Sequence, residues 1–544
     1  MSFGGNRLIS LVLLLIGLST ALPVLAVFAS WLSADGASWQ ILGEIGTSVL
    51  PQYAWNSLLL CLLVGAGVTL VGTASAAAVT LFEFPLRRVF EWTLLLPMAM
   101  PAYVVAYAYT DFFQFAGPMQ TMLRETFGWQ GRVLPEVRSL GGAVWVFTFT
   151  LYPYVYLLAR TALAERAPQL MEAARLLGAP LGRRIFKVAL PLARPAVAAG
   201  LALALMETLA DFGVSSYFGL QTFTAGIYKA WLAMDNRIAA AQLATMLVMV
   251  VALLLGLERR AQGRMRFASP RGARPDATDA RPVPLKGSAR WLAWALCAIP
   301  LLAGFVLPVL FMLRPLLAQG ADLPWGRFLQ WTFNSLSLGL ASAVLAVVLA
   351  LFLAFRVRRL PDLATRGVTH LVSLGYAMPG AVLVVGILLP LAWLQAAAPS
   401  LQIGQWASAS ALLLLWAYLA RFTSVALQSV QSGYSRITPS TDDSARMLGA
   451  GGWSLFARLH WPLLQRSTYA AILLVLVDVM KELPATLVLR PFDMDTLAVM
   501  AYQLARDERL GEAALPSLAL VLAGLVPVLL LSRALRSPLR TVGR

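Results

Sequence analysis

Four carboxylates inside long apolar segments are the residues with the clearest chemical potential. Glu207 and Asp211 are four residues apart, so they share one face of a helix. The same spacing recurs in the second half of the chain, in Asp478 and Glu482. Such acids usually face a protein interior or a wet cavity. With Lys481 between them, the group sums to minus three (four acids, one lysine), which favours a hard cation. The pattern predicts a translocation path with transient metal contacts; a structural ion-pair or helix-capping network is the alternative.

Tyrosines in the segment `PAYVVAYAYTDFF` are weaker candidates for the same path. Tyr103 and Tyr107, with Tyr109 and Asp111, could supply phenolate and carboxylate oxygens to a hard metal ion. An aromatic belt at the membrane interface is the alternative interpretation.

No catalytic constellation is evident in the chain. The sequence has no G-x-x-x-x-G-K-[ST] loop to cradle phosphates and no H-E-x-x-H pair. Its two histidines, His370 and His460, are far apart, which favours interfacial residues over metal ligands. We therefore expect that the chain is not an enzyme and binds no cofactor, so that any nucleotide is bound by a partner.

Composition places these residues in a membrane protein. Of 544 residues, 59% are hydrophobic and 13% are charged, far from the balance of a soluble domain. Cys61 and Cys297 lie within apolar runs, and two cysteines cannot build a disulfide framework.

Twelve segments are long and apolar enough to span a bilayer. They lie near residues 8–32, 53–82, 92–115, 141–163, 195–218, 239–257, 291–313, 332–355, 368–395, 407–430, 467–489 and 513–532. The sequence thus predicts an all-α polytopic protein with about twelve transmembrane helices.

The basic residues indicate the orientation. If the N-terminus is cytoplasmic, 32 of the 43 Lys and Arg residues fall on the cytoplasmic side. This bias places both termini inside. The net charge of +17 is therefore a topology signal, and nucleic acid is not an expected partner.

The chain is internally duplicated. Asn56-Ser57-Leu58 recurs as Asn334-Ser335-Leu336, and Pro168 and Arg175 recur, with the spacing between them unchanged, as Pro439 and Arg446. Six spans in each half predict two parallel repeats, 1–257 and 291–544. Residues 258–290, rich in Arg, Pro and Gly, are interpreted as an irregular cytoplasmic linker.

Each repeat has one large cytoplasmic loop with the same pattern. In both, a short helix is expected to end at a glycine, Gly178 or Gly449. A second short helix is then expected to run to Pro191 or Pro462. Alternating apolar and basic residues are typical of a helix that docks on a membrane or a protein.

The first loop, `EAARLLG` followed by `VALP`, resembles the E-A-A loop of permeases of bacterial ATP-binding-cassette importers. In that family the loop is a coupling helix that inserts into the ATPase subunit. The matching residues are Glu172, Ala173, Ala174, Gly178, Val188, Leu190 and Pro191. In the second repeat, the corresponding residues are Asp443, Ser444, Ala445, Gly449 and Pro462, and Asp-Ser-Ala departs from the E-A-A pattern.

The segments `LYPYVYLLARTAL` and `METLADFGVSSYFGLQTFTAGIY` resemble the fused twelve-span permeases of bacterial iron(III) importers. The resemblance implies a type I importer permease in the inner membrane, partnered by two cytoplasmic ATPase subunits that bind ATP and magnesium. It also implies a periplasmic ferric-binding protein and Fe(III) as substrate. A permease for another solute such as thiamine, and a secondary transporter driven by an ion gradient, remain alternatives.

Overall fold

The computed structural model describes residues 3–32, 36–267, 282–319, 323–360, 362–402, 404–405 and 410–536. The helices of the first repeat are α1 (Phe3–Ala29), α2 (Gly36–Ser48), α3 (Leu50–Leu81), α4 (Arg87–Thr93), α5 (Ala102–Phe113), α6 (Pro118–Phe127), α7 (Leu140–Leu176), α8 (Leu181–Arg184), α9 (Leu190–Ala210), α10 (Gly213–Tyr217), α11 (Phe223–Tyr228) and α12 (Arg237–Phe267).

The second repeat is built in the same way. Its helices are α13 (Ser288–Leu301), α14 (Leu307–Gln319), α15 (Trp325–Arg359), α16 (Leu363–Ser373), α17 (Gly380–Ala397), α18 (Leu412–Tyr434), α19 (Pro439–Met447), α20 (Trp453–Leu455), α21 (Trp461–Lys481), α22 (Pro484–Leu489), α23 (Leu497–Arg506) and α24 (Leu510–Arg536). Two short strands, β1 (Phe82–Glu83) and β2 (Val283–Pro284), pair in parallel.

Within the described residues, eleven helices are long and apolar enough to cross a membrane. The number is twelve if residues 87–99 and 102–127, which meet at a bend of 90°, form one broken span. The all-α, polytopic fold with about twelve spans is confirmed. The bend falls at Pro97 and Pro101, which lack the N–H that a continuous helix needs.

The predicted linker is partly helical. Helix α12 continues to Phe267, so residues 258–267 are not irregular as expected. Arg, Gln and Met are good helix formers and extend the preceding span. Residues 268–281 of the predicted linker lie outside the described part of the chain.

The helices form two compact units that do not coincide with the sequence repeats. One unit contains residues 1–43, 227–248 and 324–500, and the other contains 44–226, 249–323 and 501–544. Each unit therefore combines the core of one repeat with helices from the beginning and the end of the other. The repeat boundaries at 257 and 291 stay a prediction from the sequence.

In the first unit, α1 packs against α16 and α17 of the second repeat. Trp416 Nε1 donates a hydrogen bond to the carbonyl oxygen of Ser19 over 2.9 Å. At Gly386, an added Cβ would collide with the backbone of Pro23, so only glycine allows this approach. Helices α15, α18 and α21 supply most of this unit's buried apolar core.

The second unit is built around α3, α7 and α9; α13 packs against α3, and α14 and α24 pack against each other and against α5. Tyr109 Oη donates to the carbonyl oxygen of Ala303 over 2.8 Å, which ties α5 to the turn between α13 and α14. Gly304, in the same turn, lies against the carbonyl oxygen of Phe149.

Candidate coupling and translocation sites

The first candidate coupling turn follows α7 and is closed by Gly178. This glycine has φ of +79°, in the left-handed region that a side chain rarely adopts. Its N–H donates to the Arg175 carbonyl over 2.9 Å, and the N–H of Ala179 donates to the Ala174 carbonyl over 2.9 Å. These bonds satisfy the last carbonyls of the helix. The predicted glycine cap is confirmed.

The second candidate turn, in the other repeat, has the same geometry. Gly449 has φ of +84°. Its N–H donates to the Arg446 carbonyl over 3.0 Å, and the N–H of Ala450 donates to the Ala445 carbonyl over 3.0 Å. The two loops are therefore pseudo-equivalent in backbone as well as in sequence.

The acid of the E-A-A pattern occupies the same place in both turns. Glu172 pairs with Arg175 at 3.4 Å, and Asp443 pairs with Arg446 at 3.4 Å. Ser444 replaces the first alanine of the pattern. Its hydroxyl donates a hydrogen bond to the carbonyl oxygen of Ser440, one turn earlier in the same helix. The departure in the second repeat thus keeps the surface ion pair of the first.

Directly before each glycine, two large apolar side chains are almost fully exposed. The exposed fractions are 83% for Leu176 and 87% for Leu177, and 90% for Met447 and 88% for Leu448. Exposed apolar pairs at the tip of a helix are typical of a protein contact. Sequence reasoning missed these four residues, although their repetition before both glycines is visible in the chain.

The helices around the turns differ in part from prediction. The helix before Gly178 is the end of the 37-residue α7, not a separate short helix. In the second repeat the predicted short helix exists as α19, which begins at Pro439. A run of good helix formers keeps α7 continuous.

The predicted second short helix is wrong in both repeats, because it continues into the next span. A five-residue π-helical segment joins the two helices in each repeat: Ile185–Ala189 joins α8 to α9, and Phe456–His460 joins α20 to α21. Pro191 and Pro462 follow directly in the first turn of α9 and α21. The wider π-helical turn accommodates a proline without ending the helix. Val188 and Leu190, two of the matched residues, are half-buried in this segment.

In the second repeat, a buried ionic network anchors α19, the candidate coupling helix. Asp442 accepts a bond from Arg358 Nε over 2.6 Å and contacts His460 Nε2 at 3.0 Å. His460 Nδ1 lies 3.3 Å from the Tyr434 hydroxyl. Burial raises the pKa of Asp442, but hydrogen bonds from Arg358 and His460 outweigh it and hold that pKa below its ordinary value. Arg358 also donates to the Ile437 carbonyl.

The first repeat has no such network at the corresponding positions. Alignment of Gly178 with Gly449 places Met171, Ala189 and Leu163 where the second repeat has Asp442, His460 and Tyr434. All three apolar residues are buried. The two candidate coupling turns therefore share a backbone geometry but are held by different forces, apolar packing in the first repeat and charge in the second.

Asp211 ends α9 rather than lying in mid-span. Its Oδ1 accepts bonds from the N–H groups of Val214 at 2.8 Å and Ser215 at 3.4 Å. It thereby caps α10, which begins at Gly213. The predicted span 195–218 is broken at this acid.

Glu482 has the same role at the end of α21. Its carboxylate accepts bonds from the N–H groups of Ala485 and Thr486, each at 3.0 Å, and from the Thr486 hydroxyl at 2.7 Å. Arg421 lies 3.4 Å away and completes a buried ion pair. Asp211 and Glu482 therefore both act as helix caps, the alternative to a translocation path in the sequence analysis. Arg421 is the basic partner of Glu482.

Glu207 and Asp478, one turn earlier, are half-buried. Lys481 lies close enough to Asp478 for their charges to interact. Within the described residues, no three His, Cys, Asp or Glu side chains lie close enough to hold a metal ion. The four acids are divided between the units, two in each, and metal contact along a path stays a hypothesis.

The tyrosines of α5 are buried in the second unit. The rings of Tyr103 and Tyr107 are 5.7 Å apart, and Tyr217 is 4.7 Å from Tyr107. Arg138 lies over the Tyr217 ring and donates to its hydroxyl over 3.2 Å. The Tyr107 hydroxyl is buried without a hydrogen-bond partner in the part of the chain that the structure describes. These tyrosines are buried in the protein core, where their hydroxyl groups are the polar atoms, and do not form an exposed aromatic belt.

In the part of the chain that the structure describes, eleven or twelve apolar helices and two pseudo-equivalent turns define a polytopic membrane protein. Residues 69–266 match the family described as the binding-protein-dependent transport system inner membrane component. The chain is 24% identical over 531 residues to the Fe(3+)-transport system permease protein FbpB 2 of Haemophilus influenzae, covering 96% of this chain and 98% of that protein. Over residues 69–266 the chain is thus similar to the inner-membrane permeases of binding-protein-dependent transport systems, and over nearly its whole length it is similar to a transport permease.

Relatives with other named solutes match a shorter part of the chain. The sulfate transport system permease protein CysT of Escherichia coli is 29% identical over 39% of this chain and 72% of its own length. The spermidine/putrescine transport system permease protein PotB of Haemophilus influenzae is 29% identical over 36% of this chain and 72% of its own length.

Proposed function

We propose that this chain is the fused permease of an ATP-driven importer of ferric iron. The observation that carries the substrate assignment is the full-length match: the Fe(3+) permease aligns with 96% of the chain, including both repeats. The relatives named for sulfate and for spermidine/putrescine align with 36–39% of it. In this proposal a periplasmic ferric-binding protein delivers the cargo from outside.

Two copies of a cytoplasmic ATPase bind the two coupling turns. Support comes from the exposed pairs Leu176–Leu177 and Met447–Leu448, which present apolar tips of equal geometry. One chain with two such turns suits a motor of two identical subunits. ATP and magnesium bind to that motor, and its closure moves the turns and the helices continuous with them. Both termini are cytoplasmic in this arrangement.

The transport assay uses proteoliposomes that contain the permease and its ATPase, with the binding protein and radioactive iron added outside. We expect iron uptake that needs ATP and the binding protein. Uptake that persists without ATP and responds to an ion gradient would refute the ATP-driven mechanism. ATP-driven uptake of sulfate, spermidine or thiamine in place of iron would refute only the substrate.

A further inference from the structure

An apolar pocket lies beside residues 453–461, which follow the second candidate coupling turn, and wholly within the first unit. Its volume is about 630 Å³, within the roughly 300–1,000 Å³ of pockets that enclose organic ligands. Val348, Phe352 and Phe355 line it from one face of α15. Phe456, in the segment that joins α20 to α21, and Trp461, the first residue of α21, line it from the other side. Walls of this kind suit a hydrocarbon chain and not a hydrophilic cargo.

Two arginines lie at the mouth of this pocket, where α15 ends. Arg356 is mostly buried; its Nη2 lies 3.4 Å from Asp362, while its Nε is buried with no hydrogen-bond partner among the described residues. Arg359 is exposed, and its Nη1 lies 3.7 Å from the position of a Cβ added at Gly452. Two guanidinium groups against one carboxylate leave a positive excess and an unsatisfied donor at the apolar opening.

We propose that this pocket binds an anionic phospholipid. The acyl chain lies along the aromatic walls, and the headgroup phosphate accepts hydrogen bonds from Arg356 and Arg359. Exposed Trp453 at the same opening is typical of a residue at the level of lipid headgroups. Basic pockets at the cytoplasmic ends of membrane helices are suited to anionic headgroups.

The site belongs to the second repeat alone. When Asn56 is aligned with Asn334, the first repeat has Ala78 and Leu81 at the positions of Arg356 and Arg359. In the loop, where Gly178 is aligned with Gly449, the first repeat has Phe186 at the position of Ala457, which lines the pocket. One lipid per chain is therefore expected. Because the pocket wall is the segment between α19 and the next span, the bound lipid lies directly against the coupling path.

Native mass spectrometry of the full-length permease, with added phosphatidylglycerol or phosphatidylcholine, tests the proposal. Wild type should retain one phosphatidylglycerol in preference to phosphatidylcholine. R356Q/R359Q should weaken that retention roughly 10- to 30-fold. The matched control is R366Q/R436Q, which removes two exposed arginines of the same unit outside the pocket and should leave retention unchanged.

A second variant tests the apolar part without a change of charge. Ala457→Phe places in the pocket the residue of the first repeat, and it should reduce phosphatidylglycerol retention while the thermal stability of the protein stays unchanged. Equal retention of the two lipids by wild type would overturn the proposal. So would an R356Q/R359Q variant that is well folded and retains phosphatidylglycerol as its control does.

Discussion

Substitution of Asp442 by asparagine tests how the second coupling helix is held. The variant keeps the size of the side chain but removes the charge that faces Arg358 and His460. Loss of one partner from a buried pair costs about 3–5 kcal/mol. Arg358 keeps the carbonyls of Tyr434, Ile437 and Thr438, so the lower end, about 3 kcal/mol, is expected.

Hydrogen exchange measures this directly. About 3 kcal/mol corresponds to roughly 100-fold faster exchange of the amides in α19. The pseudo-equivalent amides at the end of α7 should not change, because Met171 holds that turn by apolar packing. Rates should be compared in the full-length permease at one pH.

Asp443→Asn is the matched control, since the adjacent Asp443 forms only an exposed pair with Arg446. An exposed pair contributes about 0–1 kcal/mol, so its removal should change the exchange of α19 less than about fivefold. If D442N and D443N had equal effects, the ionic anchor would be refuted. Combined replacement by the residues of the first repeat, D442M/H460A, should recover part of the protection.

Three further outcomes are expected. Replacing Leu177 and Leu448 by glutamate should reduce ATPase association in pull-down at least tenfold without loss of folded permease, whereas normal association would contradict their docking role. Folding lowers the pKa of Asp442, so the stabilisation from its ionised form is present above the ordinary carboxylate pKa of about 3.9 and is lost as pH falls through the folded pKa. Below that folded pKa, wild type and D442N should have the same thermal stability. Glu207→Gln with Asp478→Asn should impair iron uptake while the complex still assembles, and unchanged uptake would remove these acids from the path.

Much of the fold is predictable because it depends on local pattern. Apolar length determines the membrane helices, and the glycine caps at Gly178 and Gly449 follow from backbone conformations that other residues rarely adopt. The pseudo-equivalence of the two turns follows from the repeat itself.

The breaks in the spans were less visible, because apolar composition continues across Asp211 and Glu482. From the sequence alone, a carboxylate that caps a short helix cannot be distinguished from one that faces a translocation path. The π-helical turns were also missed, since Pro191 and Pro462 usually indicate a helix start.

Long-range packing escaped the sequence pattern altogether. The contact between Gly386 and Pro23 joins residues from different repeats, and the pair Asp442–His460 joins α19 to the π-helical segment that precedes α21. No periodicity in the chain predicts either contact. Such contacts depend on tertiary packing, and this is why the units differ from the repeats.

Cysteine crosslinking at the two coupling turns tests the central claim most directly. Cys297 is buried and Cys61 is half-buried, so a permease with both replaced gives a clean background. Single cysteines at Leu177 and Leu448 should each crosslink to the ATPase in inside-out vesicles, with yields that change when ATP binds. If instead both positions reacted only with a reagent confined to the periplasmic side, the coupling role of the two turns would be contradicted.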